Sequence, residues 1–142
     1  MLIDFEECMK KRLLRKTTPS KEQALLSLGK AEEALEDAKA TLKDKRYDAT
    51  VTLAYVSLLS ASKAILLKDG FQEKSHACII RYLEAKHYDE IGGEDIRLLD
   101  SFRETRHEVQ YSAYFRASEG QAKEIVEFIK KFLTKAEKIV KK

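Results

Sequence analysis

The segment "ATVTLAYVSLLSASKAILL", residues 49 to 67, decides the fold, because no other part of the chain is as apolar. Lys63 carries its only charge, and the uncharged part is shorter than the ~18 residues that a membrane span needs. We therefore expect a core helix, about residues 46 to 68, that is apolar nearly all round and lies at the centre of a bundle. Gly70, which follows in "KDG", predicts a left-handed helix cap.

The composition around this segment predicts an all-helical protein. Only five of the 142 residues are glycine and one is proline, while 36% are charged. Ala, Leu, Lys and Glu dominate, and these residues favour helices. The length fits a single domain, residues 1 to 142. A net charge of +3 is too small for a protein that grips a long nucleic acid duplex through many phosphates.

Apolar periodicity predicts further helices on both sides of the core segment, at about residues 3 to 16, 19 to 44, 73 to 88 and 94 to 116. Thr18 is expected to cap the second of these, with Pro19 at its first position. Gly92 and Gly93 mark a break, and a capping-box pattern at Ser118 and Gln121 begins a last, strongly amphipathic helix.

Short connections between long helices predict an all-α, up-and-down bundle of four main helices with one or two shorter helices. Tetratricopeptide-like pairing of the second and third helices is the structural alternative. No second copy follows at the ~34-residue period of such repeats, which argues against it.

The two cysteines, Cys8 and Cys78, match no metal-ligand or redox spacing. We therefore expect reduced thiols in a cytoplasmic protein, with no metal and no cofactor. The N-terminal sequence has no apolar core of signal-peptide length, so no membrane partner is expected. Asparagine is absent while Lys and Glu are abundant, a bias that is typical of proteins from thermophiles.

The stretch "SFRETRHEVQY", residues 101 to 111, carries the candidate functional residues. On a helical wheel Arg106 interrupts a row that should face the core: Leu99, Phe102, Arg106, Val109 and Ala113. The adjacent polar row can line a cleft: Arg103, His107, Gln110 and Tyr114. Because an arginine keeps its proton, a half-buried Arg106 needs a carboxylate, a helix carbonyl end or a bound phosphate.

Other charged and aromatic residues have simpler interpretations, and four tyrosines are expected to be core or interface aromatics: Tyr47, Tyr55, Tyr82 and Tyr88. His76 is expected to pack or to cap a helix, and His87 lies at a helix end, where cationic side chains are favoured. A basic run near the N-terminus can contact RNA or an acidic partner, although such runs are usually solvated helix faces: Lys10, Lys11, Arg12, Arg15, Lys16 and Lys21.

Three motifs together resemble a HEPN domain: "AILLKDG" at the end of the core helix, "EKSHACII" in the next one, and the late "RHEVQY". The resemblance covers roughly residues 20 to 135 and is to the small stand-alone prokaryotic members, formerly an uncharacterised protein family. It implies a helical bundle that dimerises. It also implies a minimal nucleotidyltransferase as a partner, and for some members a metal-independent ribonuclease toxin that this partner restrains.

The active motif of that family is an arginine followed, after about four to six residues, by a histidine on the same helix, with two copies meeting at a dimer cleft. Arg106 matches the arginine, but Tyr111 stands five places later, where the histidine is expected. Arg103 and His107 have only three residues between them, one fewer than the motif has. Ala113 stands where the family's nucleotide-accepting tyrosine is expected.

Three functions remain open from the sequence. The favoured one is a dimeric, non-enzymatic binding module that pairs with a minimal nucleotidyltransferase and holds a nucleotide or RNA through Arg103, Arg106, His107, Gln110 and Tyr111. The second is a metal-independent endoribonuclease toxin in which Arg106 works with His107 or Tyr111, although a phenol is a poor base at neutral pH. The third is a plain helical protein-interaction adaptor.

Overall fold

The computed structural model describes residues 3–142, and within them helices dominate. Two strands of three residues form a small sheet, β1 (Leu14–Lys16) and β2 (Phe71–Glu73). The all-α class is therefore confirmed, with four helices of 19 to 23 residues. In chain order the helices are α1 (Phe5–Lys10), α2 (Lys21–Lys43), α3 (Tyr47–Asp69), α4 (His76–Lys86), α5 (Tyr88–Ile91), α6 (Gly93–Tyr111) and α7 (Glu119–Val140).

Helices α2 and α3 form a close antiparallel pair. Ser27 Oγ donates to the Ser60 carbonyl over 2.7 Å, and Ser57 Oγ donates to the Ala31 carbonyl over 2.7 Å. Between these two contacts the residue number rises along α2 and falls along α3, so the two helices run antiparallel. Small side chains at these contacts allow the two backbones to approach closely.

Helix α7 runs parallel to α3, because the starts and the ends of the two helices meet. At one end the Ala117 amide donates to Asp48 Oδ1 over 2.7 Å. At the other end Lys68 Nζ donates to the Ile139 carbonyl over 2.5 Å.

Helix α6 runs antiparallel to α7. The rings of Phe102 and Phe128 lie 5.0 Å apart, and Lys135 Nζ lies 2.7 Å from Asp95 Oδ2. The four long helices therefore alternate up and down in chain order, as the sequence predicts.

Helix α3 is the core of the bundle. By length and composition it is apolar enough to cross a membrane, but 67% of its most apolar window is buried within the protein. It ends at Gly70, which has a φ of 87°, so the predicted left-handed cap is confirmed. A Cβ on Gly70 would come within 2.7 Å of both Pro19 Cγ and the Thr17 carbonyl oxygen, so this contact also requires glycine.

The cap of α2 corrects one prediction and the cap of α7 confirms another. Ser20, and not Thr18, is the N-cap of α2, and its Oγ accepts from the Gln23 amide over 3.1 Å. Pro19 lies before the helix because it packs against the end of α3. The capping box of Ser118 and Gln121 is present as predicted.

The predicted helix at residues 3–16 is wrong in its second half. Helix α1 ends at Lys10, and Arg12 then takes a left-handed conformation with a φ of 59°. The chain continues as β1, which pairs antiparallel with β2 and places Arg15 opposite Gln72. The periodicity of apolar residues does not reveal this turn, because strands this short carry no recognisable alternation.

The prediction of reduced thiols is also wrong. Cys8 and Cys78 form a disulfide, with their Cα atoms 5.8 Å apart and both residues fully buried. Seventy residues separate them, so their pairing depends on α1 packing against α4, which residue spacing does not show. Because the cysteines are not free thiols, they no longer support a cytoplasmic location, which stays a prediction.

Two further helix boundaries differ from the predictions. The helix expected at residues 73–88 begins at His76, capped by Ser75, and is followed by the short α5 before the break at Gly92. The helix expected to reach residue 116 ends at Tyr111. There the Ser112 hydroxyl accepts from the Phe115 amide, a local bond that competes with helix continuation.

A titratable network joins α3, α4 and α5 at one end of the bundle. Asp69 Oδ2 accepts from Tyr82 Oη over 2.7 Å and lies 2.6 Å from His87 Nε2. The other ring nitrogen of His87 lies 2.6 Å from Glu90 Oε1, and Lys142 Nζ lies 2.7 Å from Glu90 Oε2. Burial opposes a charge on His87, but its two carboxylate partners outweigh burial and raise its pKa.

We predict that the disulfide contributes strongly to stability. In the chain-entropy model, the free energy of unfolding of the double variant Cys8→Ala/Cys78→Ala should be about 4 kcal/mol lower than that of the wild type. Its unfolding temperature should be about 10 °C lower. Thermal unfolding with and without reductant measures this. Reductant should destabilise the wild type and leave the double variant unchanged. Equal unfolding temperatures for the two proteins under oxidising conditions would contradict the prediction.

We also predict that His87 stabilises the fold in a pH-dependent way. Because its folded pKa is raised above the ordinary 6.5, its contribution is complete below about pH 6.5 and is lost as the pH rises through the folded value. Urea unfolding of wild type and His87→Gln at several pH values measures the difference in unfolding free energy. That difference should shrink from pH 6 to pH 9, and a constant difference would exclude this role.

Candidate functional site

Helix α6 runs from the core to the surface, and the row of residues that was predicted to face the core runs along it. Leu99 and Phe102 are buried, whereas Arg106 and Val109 are half-buried. Ala113 is exposed and lies beyond the helix end. Arg106 therefore stands where the core-facing row reaches solvent, which agrees with its predicted half-buried position.

Arg106 contacts three side chains from three helices. Its guanidinium carbon lies 4.7 Å from the centre of the Tyr55 ring, a cation–π contact with α3. Nη2 lies 3.3 Å from His76 Nδ1 on α4, and Nη1 donates to Gln110 Oε1 on its own helix. Within residues 3–142 no carboxylate lies within ion-pair distance of Arg106. Its charge is therefore solvated only by neutral groups.

Asp100, an acidic side chain of α6, forms an ion pair with Arg81. Asp100 Oδ2 accepts from Arg81 Nη2 over 2.5 Å, and Arg81 is buried, with 8% of its surface exposed. Arg103, one turn after Asp100, is half-buried and makes no ion pair in the part of the chain that the structure describes. Its Nε atom is buried without a hydrogen-bond partner there. Neither Arg103 nor Arg106 therefore has a carboxylate within ion-pair distance in residues 3–142, although Glu104 and Glu108 line the same concavity as Arg103.

His76 completes the cluster as a neutral imidazole. Burial and then the charge of Arg106 lower its pKa, and the charges of Lys63 and Arg103 act in the same direction. Because a guanidinium only donates, Nδ1 of His76 accepts, and the proton of the neutral ring lies on Nε2. The Tyr55 hydroxyl lies 3.2 Å from the same Nδ1. Burial raises the pKa of Tyr55, although the nearby arginines oppose that rise.

The structure separates the predicted site residues into two groups. Arg103, Arg106 and Gln110 belong to the cluster with Tyr55 and His76, which we call the Arg106 cluster. His107 and Tyr111, in contrast, form an exposed pair.

That exposed pair has a different environment. The rings of His107 and Tyr111 lie 4.6 Å apart, and 66% of the Tyr111 surface is exposed. The pair lines an open concavity of about 230 Å³ with Glu108 and Ser112. A larger concavity of about 320 Å³ links His107 to Arg103. The second region is therefore a solvent-facing surface beside the cluster.

Sequence reasoning missed Tyr55 and His76 as members of the site. Tyr55 was expected to be a core or interface aromatic, and His76 was expected to pack or cap. They meet Arg106 because α3, α4 and α6 pack against one another, and no spacing along the chain shows that contact. The only signal in the sequence was the histidine of "EKSHACII".

The cluster is suited to binding an anion. Two arginines provide several N–H donors, and the guanidinium fork matches the oxygens of a phosphate. Neutral His76 adds an Nε2–H donor beside them. In residues 3–142 no group of three or more His, Cys, Asp or Glu side chains could hold a metal ion.

Comparisons with known proteins agree with this architecture. A model of the HEPN domain matches residues 24–139. A "UPF0332 protein" of Archaeoglobus fulgidus is 31% identical over 119 residues, which is 82% of this chain and 94% of the relative. "Putative toxin MJ0605" of Methanocaldococcus jannaschii is 28% identical over 136 residues, 92% of this chain and 97% of the relative. This all-α chain, with Arg106 on its sixth helix, belongs to the HEPN domain family.

Proposed function

We propose that this protein is a dimeric HEPN binding module that holds a phosphate group of a nucleotide or of RNA at the Arg106 cluster and pairs with a minimal nucleotidyltransferase. One observation carries the proposal. The half-buried Arg106 is surrounded by a tyrosine ring, a neutral histidine and an amide, and no carboxylate in residues 3–142 balances its charge.

The charge balance favours an anionic ligand over a purely structural role. A buried structural arginine normally forms an ion pair, as the more deeply buried Arg81 does with Asp100. Arg106 and Arg103 have no such partner, and one donor of Arg103 is buried and unused. A phosphate would supply the missing charge and acceptors together.

Exposed aromatic residues beside the cluster support a dimer. Tyr111 is 66% exposed and Tyr114 is 97% exposed, although tyrosine is enriched at protein interfaces. Both follow Arg106 at the end of α6, so a second copy that covers them would bring the two Arg106 clusters towards a shared cleft. The resemblance to dimeric HEPN proteins supports the same arrangement.

The transferase partner rests on the resemblance alone. HEPN members of this small kind are paired with minimal nucleotidyltransferases, and a relative of this chain is named as a toxin.

A metal-independent ribonuclease toxin is the second candidate. Neutral His76 beside Arg106 favours it, because RNA cleavage without metal needs a proton acceptor and a fixed cation next to the phosphate. In this version Arg106 stabilises the charged transition state. The proton is transferred by His76 or, across a dimer cleft, by His107 or Tyr111.

We predict that Arg106→Gln weakens binding of a labelled single-stranded RNA or of ATP by about tenfold, because a charged hydrogen bond to phosphate is lost. Fluorescence anisotropy and calorimetry measure the two affinities. Arg97→Gln is the matched control, since Arg97 is an exposed arginine on the same helix. It should bind as the wild type does. Equal affinities for Arg106→Gln and Arg97→Gln would exclude the Arg106 cluster as the phosphate site.

The same proteins separate the two candidate functions. A ribonuclease should cleave RNA in the presence of EDTA, and Arg106→Gln should abolish cleavage. His76→Gln should abolish it as well if His76 transfers the proton, and should leave it in place if His107 or Tyr111 does. A binding module should leave the RNA intact while Arg106→Gln alters its affinity. Copurification with a minimal nucleotidyltransferase tests the partner. If RNA, nucleotides and the transferase all fail to bind, the adaptor interpretation replaces both.

A further inference from the structure

We propose a second phosphate-binding site, separate from the Arg106 cluster, in the pocket between the end of α1 and strand β1. The pocket has a volume of about 320 Å³. Three basic residues line it, Arg12, Arg15 and Lys16, and Gln72 of β2 lines it from the opposite strand. No acidic residue contributes to its lining.

The three cations of this pocket lack counter-ions. None of them has a carboxylate within ion-pair distance in residues 3–142, whereas the neighbouring Lys11 has Glu7 at 3.6 Å. Arg15 is half-buried, so its side chain is held against the fold and is only partly solvated. Three unpaired positive charges around one concavity produce a local field that attracts an anion.

The backbone brings these three residues to the rim of one concavity. After α1 the Leu13 amide donates to the Cys8 carbonyl and the Arg12 amide to the Met9 carbonyl, a Schellman turn with Arg12 at its left-handed position. Glycine takes that conformation without strain, and a side chain with a Cβ does not. Arg12 therefore places a charge at the pocket, and its strained backbone conformation lowers the stability of the fold. Lys45, after α2, is a second left-handed residue and does not line the pocket.

Two connections hold the pocket rigid. The Cys8–Cys78 disulfide ties α1 to α4, and the β1–β2 pairing places Arg15 opposite Gln72. All of its cations lie before residue 24, where the match to the HEPN model begins. The basic residues of the site therefore lie outside the matched range, while Gln72 lies within it, and the ligand of the site does not follow from the family match.

The lining chemistry points to a phosphate group and not to a base. Guanidinium groups bind phosphate oxygens through paired N–H donors, and Gln72 can donate as well. No aromatic side chain lines the pocket, so it offers no surface on which a base would stack. The phosphate can belong to an RNA chain or to a free phosphorylated molecule, and the two sources are separated by experiment.

The test uses full-length protein carrying Arg106→Gln, so that binding at the Arg106 cluster is removed from every measurement. In this background Arg12→Gly and Arg15→Gln are compared with the control Lys45→Gly, which relieves the same backbone strain and removes the same charge elsewhere. Calorimetry with pyrophosphate and fluorescence anisotropy with a labelled RNA of about eight nucleotides give the affinities. Thermal unfolding checks that each variant is folded.

We expect Arg12→Gly and Arg15→Gln each to weaken binding by about tenfold. Arg12→Gly should unfold at the same or a higher temperature, because glycine relieves the left-handed position. Lys45→Gly should not change binding. If the variants lose affinity for RNA alone, the phosphate belongs to an RNA chain. If they lose affinity for both probes, the site binds phosphate itself.

Two results would overturn the proposal. One is a background protein that binds neither probe at millimolar concentration. The other is unchanged affinity for both probes in Arg12→Gly and Arg15→Gln. Neither result bears on the Arg106 cluster, which is tested by wild type against Arg106→Gln.

Discussion

The burial of α3 is the constraint on which the rest of the structure depends. This helix is apolar nearly all round, so it is stable only when neighbours cover most of its surface. Helices α2 and α7 cover it along its length, and α4 and α6 cover the remaining part. The same burial fixes where α6 can lie, and therefore places Arg106 over the Tyr55 ring of α3.

The Arg106 cluster results from the way in which charged side chains are distributed around α3. Arg81 takes Asp100 as its partner, and Arg103 and Arg106 on the next turns make no ion pair in residues 3–142, although Glu104 and Glu108 lie on the same helix. His76 does not relieve the excess charge, because burial and the arginines keep it neutral. Two half-buried arginines without ion pairs are costly in the free protein, and an anionic ligand would reduce that cost.

Features encoded locally could be predicted from the sequence, and features that depend on distant contacts could not. The core helix, its Gly70 cap and the Ser118–Gln121 capping box are local, and all three are confirmed. The position of Arg106 at the edge of the core also followed from helical periodicity. The disulfide, β1 with β2, and the contact of His76 with Arg106 join residues 30 to 70 positions apart, so no local pattern encodes them.

Nuclear magnetic resonance of His76 tests the central claim most directly, because its ring reports the charge state of the Arg106 cluster. At pH 7 and without ligand, the ¹⁵N shifts should show a neutral ring with its proton on Nε2. Addition of a nucleotide should shift His76 and the Arg106 guanidinium signals together, with one saturation curve. A charged His76 ring in the free protein, or Arg106 signals that do not change at saturating nucleotide, would contradict the account.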